Sequence, residues 1–347
     1  MPAAAPLAPA TLPDLFTAFN GLTVLIVGDV MVDAYVWGRA TRLSPEAPVP
    51  VVNVTRTEQR LGGAANVALN VQALGATPLL CAVIGDDAGG EQLLHELHTR
   101  GLSADGLVRS PERPTTVKQR ILAQGQQLLR IDAEVETDLS ATEDAGLTEA
   151  FAQLLGRADV VIFEDYDKGV LNAERIARFI ALARAQGVPT VVDPKKRNFL
   201  AYRGCTLFKP NLKELREGLK IDFADADNAG LERAVQALRQ HLQPDMVLVT
   251  LSERGVFCDA GRGPIYLPAH VRAISDVSGA GDTVISIAAL CVALGVAPAS
   301  MAALANLGGG LVCEQVGVVP IEKTRLLQEA EAVHLTPRPP LQKRGGA

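Results

Sequence analysis

The sequence predicts a doubly wound α/β fold, with a mostly parallel sheet flanked by helices and a small β-sheet lid. Three observations lead there. Short β-branched runs alternate with longer stretches of helical periodicity, as strand–helix–strand units do. The runs are apolar without alternation, which suits strands covered on both faces. Two further segments do alternate, which marks strands with one wet face.

The core strands are Val24-Leu25-Ile26-Val27, Val160-Val161-Ile162-Phe163, Thr190-Val191-Val192 and Val247-Leu248-Val249. Helical patterns run over 64–74, 90–100, 172–186 and 231–241. Gly187-Val188-Pro189 closes the third with a Gly-then-Pro stop. The alternating segments, about 34–57 and 115–132, carry Trp37 and the series Val117, Gln119, Ile121, Leu129, Ile131; pattern alone fits a projecting lid and an ordinary edge hairpin equally, and the lid is the expectation here. Residues 1–13 and 336–347, rich in Ala and Pro or in Pro, Lys and Gly, are expected to be flexible tails around one domain over 14–335.

Hydrophobic residues make up 48% of the 347 and charged residues 21%, a balance that builds a large core and argues against disorder. The net charge of −6 speaks against a nucleic-acid partner. No apolar run reaches bilayer length, and the N-terminus lacks the basic-then-apolar layout of a secretion signal. Cys81, Cys205, Cys258, Cys291 and Cys313 form no C-x-x-C pair, so a reducing cytoplasm and no disulfide framework are expected. The five histidines show no metal-ligand spacing, which disfavours zinc.

Chemistry concentrates in Asp276-Val277-Ser278-Gly279-Ala280-Gly281-Asp282-Thr283, just ahead of an apolar helical stretch. A glycine turn at a helix head leaves amides unpaired, and with the helix dipole they form an anion site. Phosphoryl transfer needs such a site. The same string also reads as a plain helix cap. Leu61-Gly62-Gly63-Ala64-Ala65-Asn66 is a second glycine-rich helix entry with a polar residue in an apolar face. Asp29 closes the first strand and Asp33 follows, both placed to hold sugar hydroxyls. Taken singly, Asp29 serves equally as a turn former and Asn66 as a buried amide. No Gly-Lys dipeptide occurs, so there is no Walker A loop, and Gly28-Asp29-Val30-Met31 is not a dinucleotide turn.

The two glycine elements resemble the two signatures of the ribokinase-like (PfkB) carbohydrate kinases. Val27-Gly28-Asp29, Lys209-Pro210-Asn211-Leu212-Lys213-Glu214 and Thr250-Leu251-Ser252-Glu253-Arg254-Gly255 fall in family order, and the resemblance covers about 21–332. Stretches 42–52, 126–132 and 165–169 resemble the branch that phosphorylates D-glycero-β-D-manno-heptose 7-phosphate on the route to ADP-heptose and lipopolysaccharide core. Many proteins of that branch carry a C-terminal adenylyltransferase domain; the length here leads to the expectation of a stand-alone kinase.

The resemblance implies a role for each matching residue. Asp282 is the base that takes the proton of the sugar hydroxyl, and the amides of Gly279, Ala280 and Gly281 receive the phosphoryl group. Asp29, Asp33, Gly62, Gly63 and Asn66 hold the sugar. Asn211, Leu212, Lys213, Glu214, Thr250, Ser252, Gly255 and Asn306 bind ATP, with Glu214 ordering Mg²⁺ through water. Asn211 and Glu214 read equally well as a helix cap. Asp276 and Ser278 are the residues for K⁺, and the family more often has Gly where Ser252 stands. A helix N-terminus is expected to favour ionised Asp282 and weaken it as a base.

A phosphorylated sugar also needs positive charge. Lys118, Arg120, Arg130, Lys168 and Lys195, with Lys196 beside them, are the candidates, since Lys118 and Arg120 share a strand face and arginine bonds phosphate bidentately. Open strand edges and Trp37 lead to the expectation of a homodimer through the lids. Two rivals stand beside this reading, a kinase of an unphosphorylated sugar and a non-catalytic sugar or nucleotide sensor.

Overall fold

The structure, a computed structural model, describes residues 9–270 and 272–336. The strands in chain order are β1 (Thr23–Gly28), β2 (Val30–Leu43), β3 (Pro50–Gly63), β4 (Thr77–Gly85), β5 (Leu107–Ser110), β6 (Thr116–Ala123), β7 (Gln126–Ala133), β8 (Val160–Glu164), β9 (Thr190–Asp193), β10 (Leu207–Phe208), β11 (Met246–Thr250), β12 (Val256–Asp259) and β13 (Pro264–Leu267). The helices are α1 (Leu12–Ala18), α2 (Ala64–Ala73), α3 (Ala88–Thr99), α4 (Ala141–Leu155), α5 (Ala173–Ala185), α6 (Leu212–Leu219), α7 (Asn228–Leu242), α8 (Ala280–Ala293), α9 (Pro298–Val312) and α10 (Lys323–Ala332). Every helix and core strand expected above is present, with ends moved by one to three residues.

Nine strands form the main sheet in the order β13-β12-β11-β10-β9-β8-β1-β4-β5, all running one way except β12, which pairs antiparallel with both β11 and β13. Alternate side chains of β1 show why its strands are apolar throughout. Val24 and Ile26 join one core with residues of α2, α8 and α9, while Leu25 and Val27 join a second core with residues of α4, α5 and α7. A strand whose two faces are both covered has no place for a polar residue until its end.

Local chemistry sets the helix starts. Ser140 and Glu143 close a reciprocal capping box on α4, and the Asn172 side chain accepts the Arg175 amide at the head of α5. The first tail is shorter than expected. Thr11 caps α1 and Leu12 is buried, so residues 12 and 13 belong to a helix. Residues 1–8 and 337–347 of the expected tails lie outside the described residues. Four cysteines are buried and Cys313 is half-buried, all of them free thiols. Among the described residues no helix is long and apolar enough to cross a membrane.

The lid is a separate four-stranded sheet in the order β3-β2-β6-β7. Its strands run longer than the alternating segments from which they were inferred, since 30–33 and 61–63 are buried, 58–60 are half-buried, and these stretches lose the wet-face pattern. Gln124 and Gly125, at φ 53° and 78°, make the two-residue turn between β6 and β7, a pair of left-handed residues that matches hairpin twist. Register gives the sheet two unlike faces, because residues paired across strands point the same way. Arg60, Asp33, Lys118 and Asp132 stand in one row, and Glu58, Tyr35, Arg120 and Arg130 in the next on that same face. Val36, Ile121 and Leu129 form a row of the other face. One face is charged and the other apolar.

Phe151 of α4 and Phe179 of α5 stack in the second core with centroids 3.9 Å apart. Phe151→Ala is expected to cost about 3–5 kcal/mol through the lost transfer energy and the cavity left behind. Urea denaturation of the purified chain measures it.

Candidate active site

The carboxyl ends of the parallel strands meet at one edge of the main sheet, the place where open α/β sheets bind ligands. Register sets Gly28 of β1 beside Glu164 of β8, and Glu164 beside Asp193 of β9. Lys209 follows β10 directly, and Thr250 closes β11. Helix α8 starts above this row. Its N-cap, Gly279, sits at φ 80°, and a Cβ there would stand 3.3 Å from both Asn66 Nδ2 and Val318 Cγ1. Only glycine takes that backbone conformation in so tight a space without strain.

Asp282 in the first turn of α8 is buried and held from both sides. Asn66 Nδ2 donates to its Oδ2 at 2.5 Å, and the Tyr166 hydroxyl donates to its Oδ1 at 3.2 Å. Asn66 therefore orients the carboxylate through Nδ2, while its Oδ1 is buried without a partner. Asn70 and Thr283 add a second link between α2 and α8 at 2.9 Å. The Ala280 amide donates to Val277 O at 3.3 Å, so of the three amides expected to receive a phosphoryl group one is already engaged.

The electrostatics reverse one expectation. Burial drives the pKa of Asp282 up to about 6, the Asn66 hydrogen bond draws it down, Asp193 raises it further, and Lys209 and the Tyr166 hydroxyl draw it down. Desolvation outweighs the helix N-terminus because the carboxylate is fully enclosed, and the result is a stronger base than the dipole alone would leave. Glu164 lies beneath. Burial, then Asp193, then Asp282 lift its pKa well above the usual carboxylate range, and both its oxygens are buried without a hydrogen-bond partner. Glu164, Asp193 and Asp282 offer oxygens within 4.8 Å of one another. Two lysines balance them. Lys209 Nζ is 2.8 Å from Asp193 Oδ2, and Lys195 Nζ is 2.9 Å from Glu214 Oε1 and 4.9 Å from the Tyr166 ring centroid. Burial alone would lower both lysine pKa values, yet Asp193 and Glu214 raise them. Unpartnered oxygens in a hard-donor set of this kind fit a divalent cation of the magnesium type.

Sugar-side residues meet under the charged lid face. Asp33 accepts from Arg120 at 2.5 Å, and a Cβ on Gly62 would lie 2.3 Å from Asp33 Oδ2, so only glycine lets β3 pass this carboxylate. Gly63 caps α2 next door. Arg60 and Arg120 flank the Tyr35 ring at 5.1 and 5.2 Å. Lys118 and Lys168 approach each other from lid and body across Glu134. Four of the expected residues are held by other partners. Asp29 is consumed by the loop after β8, accepting amides of Tyr166 at 2.8 Å and of Lys168 and Val170 at 3.2 Å. Arg130 is half-exposed and paired with Asp132 at 2.8 Å. Lys195 sits on the nucleotide side with Glu214, and Lys196 points outward toward Glu217.

Nucleotide-side residues also gather. Asn211 bridges to Thr250, and Gly255 and Asn306 both border the Pro268 backbone, Asn306 Nδ2 donating to Pro268 O at 2.8 Å. Asn211 and Glu214 form a full capping box on α6 at 2.8 and 2.9 Å, so the helix-cap role is realised whatever else they do. Leu212 is half-buried against the second core and Lys213 is exposed. Ser252 stands at φ 54°, the left-handed conformation that explains glycine's suitability there. Asp276 receives the amides of Ser278 and Gly317, each at 2.9 Å, which draws their two loops together below the head of α8; Ser278 itself is exposed.

Glu164, Tyr166, Asp193 and Lys209 were missed as site residues. Glu164 and Asp193 each close an apolar β-branched strand with a carboxylate, the same signal that singled out Asp29. Tyr166 and Lys209 carry no such mark, because only the packing of α8 over the strand ends brings them to Asp282.

Comparison with known proteins agrees with this geometry. The profile described as pfkB family carbohydrate kinase matches residues 22–325. Bifunctional protein HldE of Chromohalobacter salexigens is 42% identical over 311 residues, 89% of this chain and 64% of that protein. HldE of Citrifermentans bemidjiense is 39% identical over 315 residues, 90% of this chain and again 64% of its relative. The chain thus spans a little under two thirds of these relatives. Phosphofructokinase-2 from Escherichia coli, solved in complex with potassium, superposes with a TM-score of 0.74 at 20% identity, over 90% of this chain and 98% of its own. A glycine turn that opens α8, a buried carboxylate behind it and a family profile spanning most of the chain lead to one conclusion: this chain belongs to the PfkB family of carbohydrate kinases.

Proposed function

We propose that the chain catalyses ATP-dependent phosphorylation of D-glycero-β-D-manno-heptose 7-phosphate at O1. The observation that carries the reaction class is Asp282, buried at the head of α8 beside the glycine turn, with Asn66 and Tyr166 fixing its two oxygens. The substrate reading is supported by the three heptose-kinase-like stretches and by the basic face of the lid.

In this mechanism the Asp282 carboxylate accepts the hydroxyl proton while the sugar oxygen bonds to the γ-phosphorus of ATP. The bond from that phosphorus to the β–γ bridging oxygen breaks, and ADP leaves with the electron pair. The amides of Gly279 and Gly281 meet the equatorial oxygens, where charge spreads. Lys209, close by Gly281, adds a positive charge from below. Glu164, Asp193 and Glu214 are the residues that would hold Mg²⁺, which when bound offsets the charge of the ATP phosphates. The turn joining Asp276 and Ser278 would hold K⁺, the ion in whose presence the Escherichia coli phosphofructokinase-2 was solved. Two copies would associate through the apolar lid face, where Leu129 and Ile131 are about half-exposed.

A coupled ADP-release assay across sugars and sugar phosphates, with the product anomer read by phosphorus NMR, tests the assignment; turnover of an unphosphorylated sugar in preference to the heptose phosphate would refute it. Asp282→Asn is expected to lower kcat by about 10²–10⁴-fold while KM for both substrates holds. Because the active form of Asp282 is the carboxylate and its pKa lies at about 6, kcat/KM should fall about tenfold per pH unit below that point. Asn66→Ala removes a bond that lowers this pKa, so the acid limb should move to higher pH. Light scattering of a Leu129→Lys, Ile131→Lys double variant should show monomer where the parent chain shows dimer.

A further inference from the structure

The charged lid face holds a feature that sugar binding alone does not require. Lys118 of β6 and Lys168 of the loop after β8 converge on one carboxylate. Glu134, the first residue past β7, places Oε2 at 2.7 Å from Lys118 Nζ and Oε1 at 2.8 Å from Lys168 Nζ. Asp132 at 3.7 Å from Lys118, and Glu136 at 2.9 Å from Lys168, are secondary partners. The lysine side chains are only 16% and 12% exposed, so water does little to screen them and a counter-charge is required. Burial opposes ionisation of Glu134, yet the hydrogen bonds from both lysines hold its pKa below the usual carboxylate range. One carboxylate with each oxygen on a separate ammonium occupies the place that two oxygens of a phosphate would take. Lys118 and Glu134 belong to the lid and Lys168 to the body, so the bridge also joins lid to body.

We propose that Glu134 is a specificity-determining residue, an internal counter-ion that fills a phosphate subsite between Lys118 and Lys168 and yields it only to a substrate carrying its own phosphate. The inference rests on the reading of a phosphorylated sugar above. A dianionic phosphate brings more charge to the two ammonium groups than the carboxylate it displaces, and Glu134 then turns to solvent. A neutral sugar offers nothing in exchange and leaves the bridge closed.

Titration calorimetry on the full chain separates the outcomes, using D-glycero-D-manno-heptose 7-phosphate, the unphosphorylated heptose and inorganic phosphate as probes. Glu134→Gln should tighten the heptose phosphate and inorganic phosphate by about three- to tenfold, the scale of one partly buried like charge removed, with the free heptose changed by less than about twofold. Glu134→Asp keeps the charge and should stay nearer the parent chain than Glu134→Gln. Lys118→Met and Lys168→Met should each weaken only the phosphorylated ligands. If the lysine variants behave so while Glu134→Gln leaves phosphate binding unchanged or weaker, the counter-ion role is overturned and the subsite stands. If the lysine variants weaken both sugars alike, or neither, the phosphorylated-sugar reading falls and this inference falls with it.

Discussion

Glu164, Asp193, Lys209 and Asp282 are buried together where the strand ends meet the head of α8, and charges in such a place persist only by compensating one another. That requirement explains much of the architecture. The register of β1, β8 and β9 must bring Glu164 and Asp193 level, β10 must end where Lys209 can reach Asp193, and α8 must begin where Asp282 closes the group. Helix α2 is fastened to α8 by Asn66 and Asn70 for the same reason. The result is a carboxylate that is buried, oriented and more basic than an exposed aspartate.

The lid follows a different logic. It has no core of its own, and its stability rests on long strands, a twist-matched turn and cross-strand pairs between charged and aromatic side chains. Its charged face meets the body where Lys118 shares Glu134 with Lys168, and its other face leaves Leu129 and Ile131 about half-exposed. Where the main sheet buries both faces and selects for uniform apolar runs, the lid sheet selects for strict alternation.

The difference in burial explains how much could be read in advance. Doubly covered strands, capped helices and alternating lid segments announce themselves in residue order, so the α/β body and the lid were legible. Asp282, Gly279, Asn211 and Glu214 were legible because glycine turns and caps are local patterns. Functions that depend on a partner from elsewhere in the chain were not. Asp29 was expected to hold the sugar, and the amides of the loop after β8 that it accepts are not visible in residue order; nor is the Asp282 that α8 places beside Asn66. Desolvation is likewise invisible to local reading, which is why the helix dipole was expected to govern Asp282 when burial does. Lys195 followed a strand end as foreseen, but Glu214 drew it to the opposite side of the site.

The two-residue turn at Gln124 and Gly125 carries a consequence for how such a chain can change over generations. Side chains on β6 and β7 alternate with period two, so gaining or losing one residue in that hairpin would invert the strand that follows. Leu129 and Ile131 would swing onto the charged face as Arg130 and Asp132 swung onto the apolar one. One indel would exchange the two faces of β7 in the same stroke, so variation there is confined to replacements that preserve the residue count.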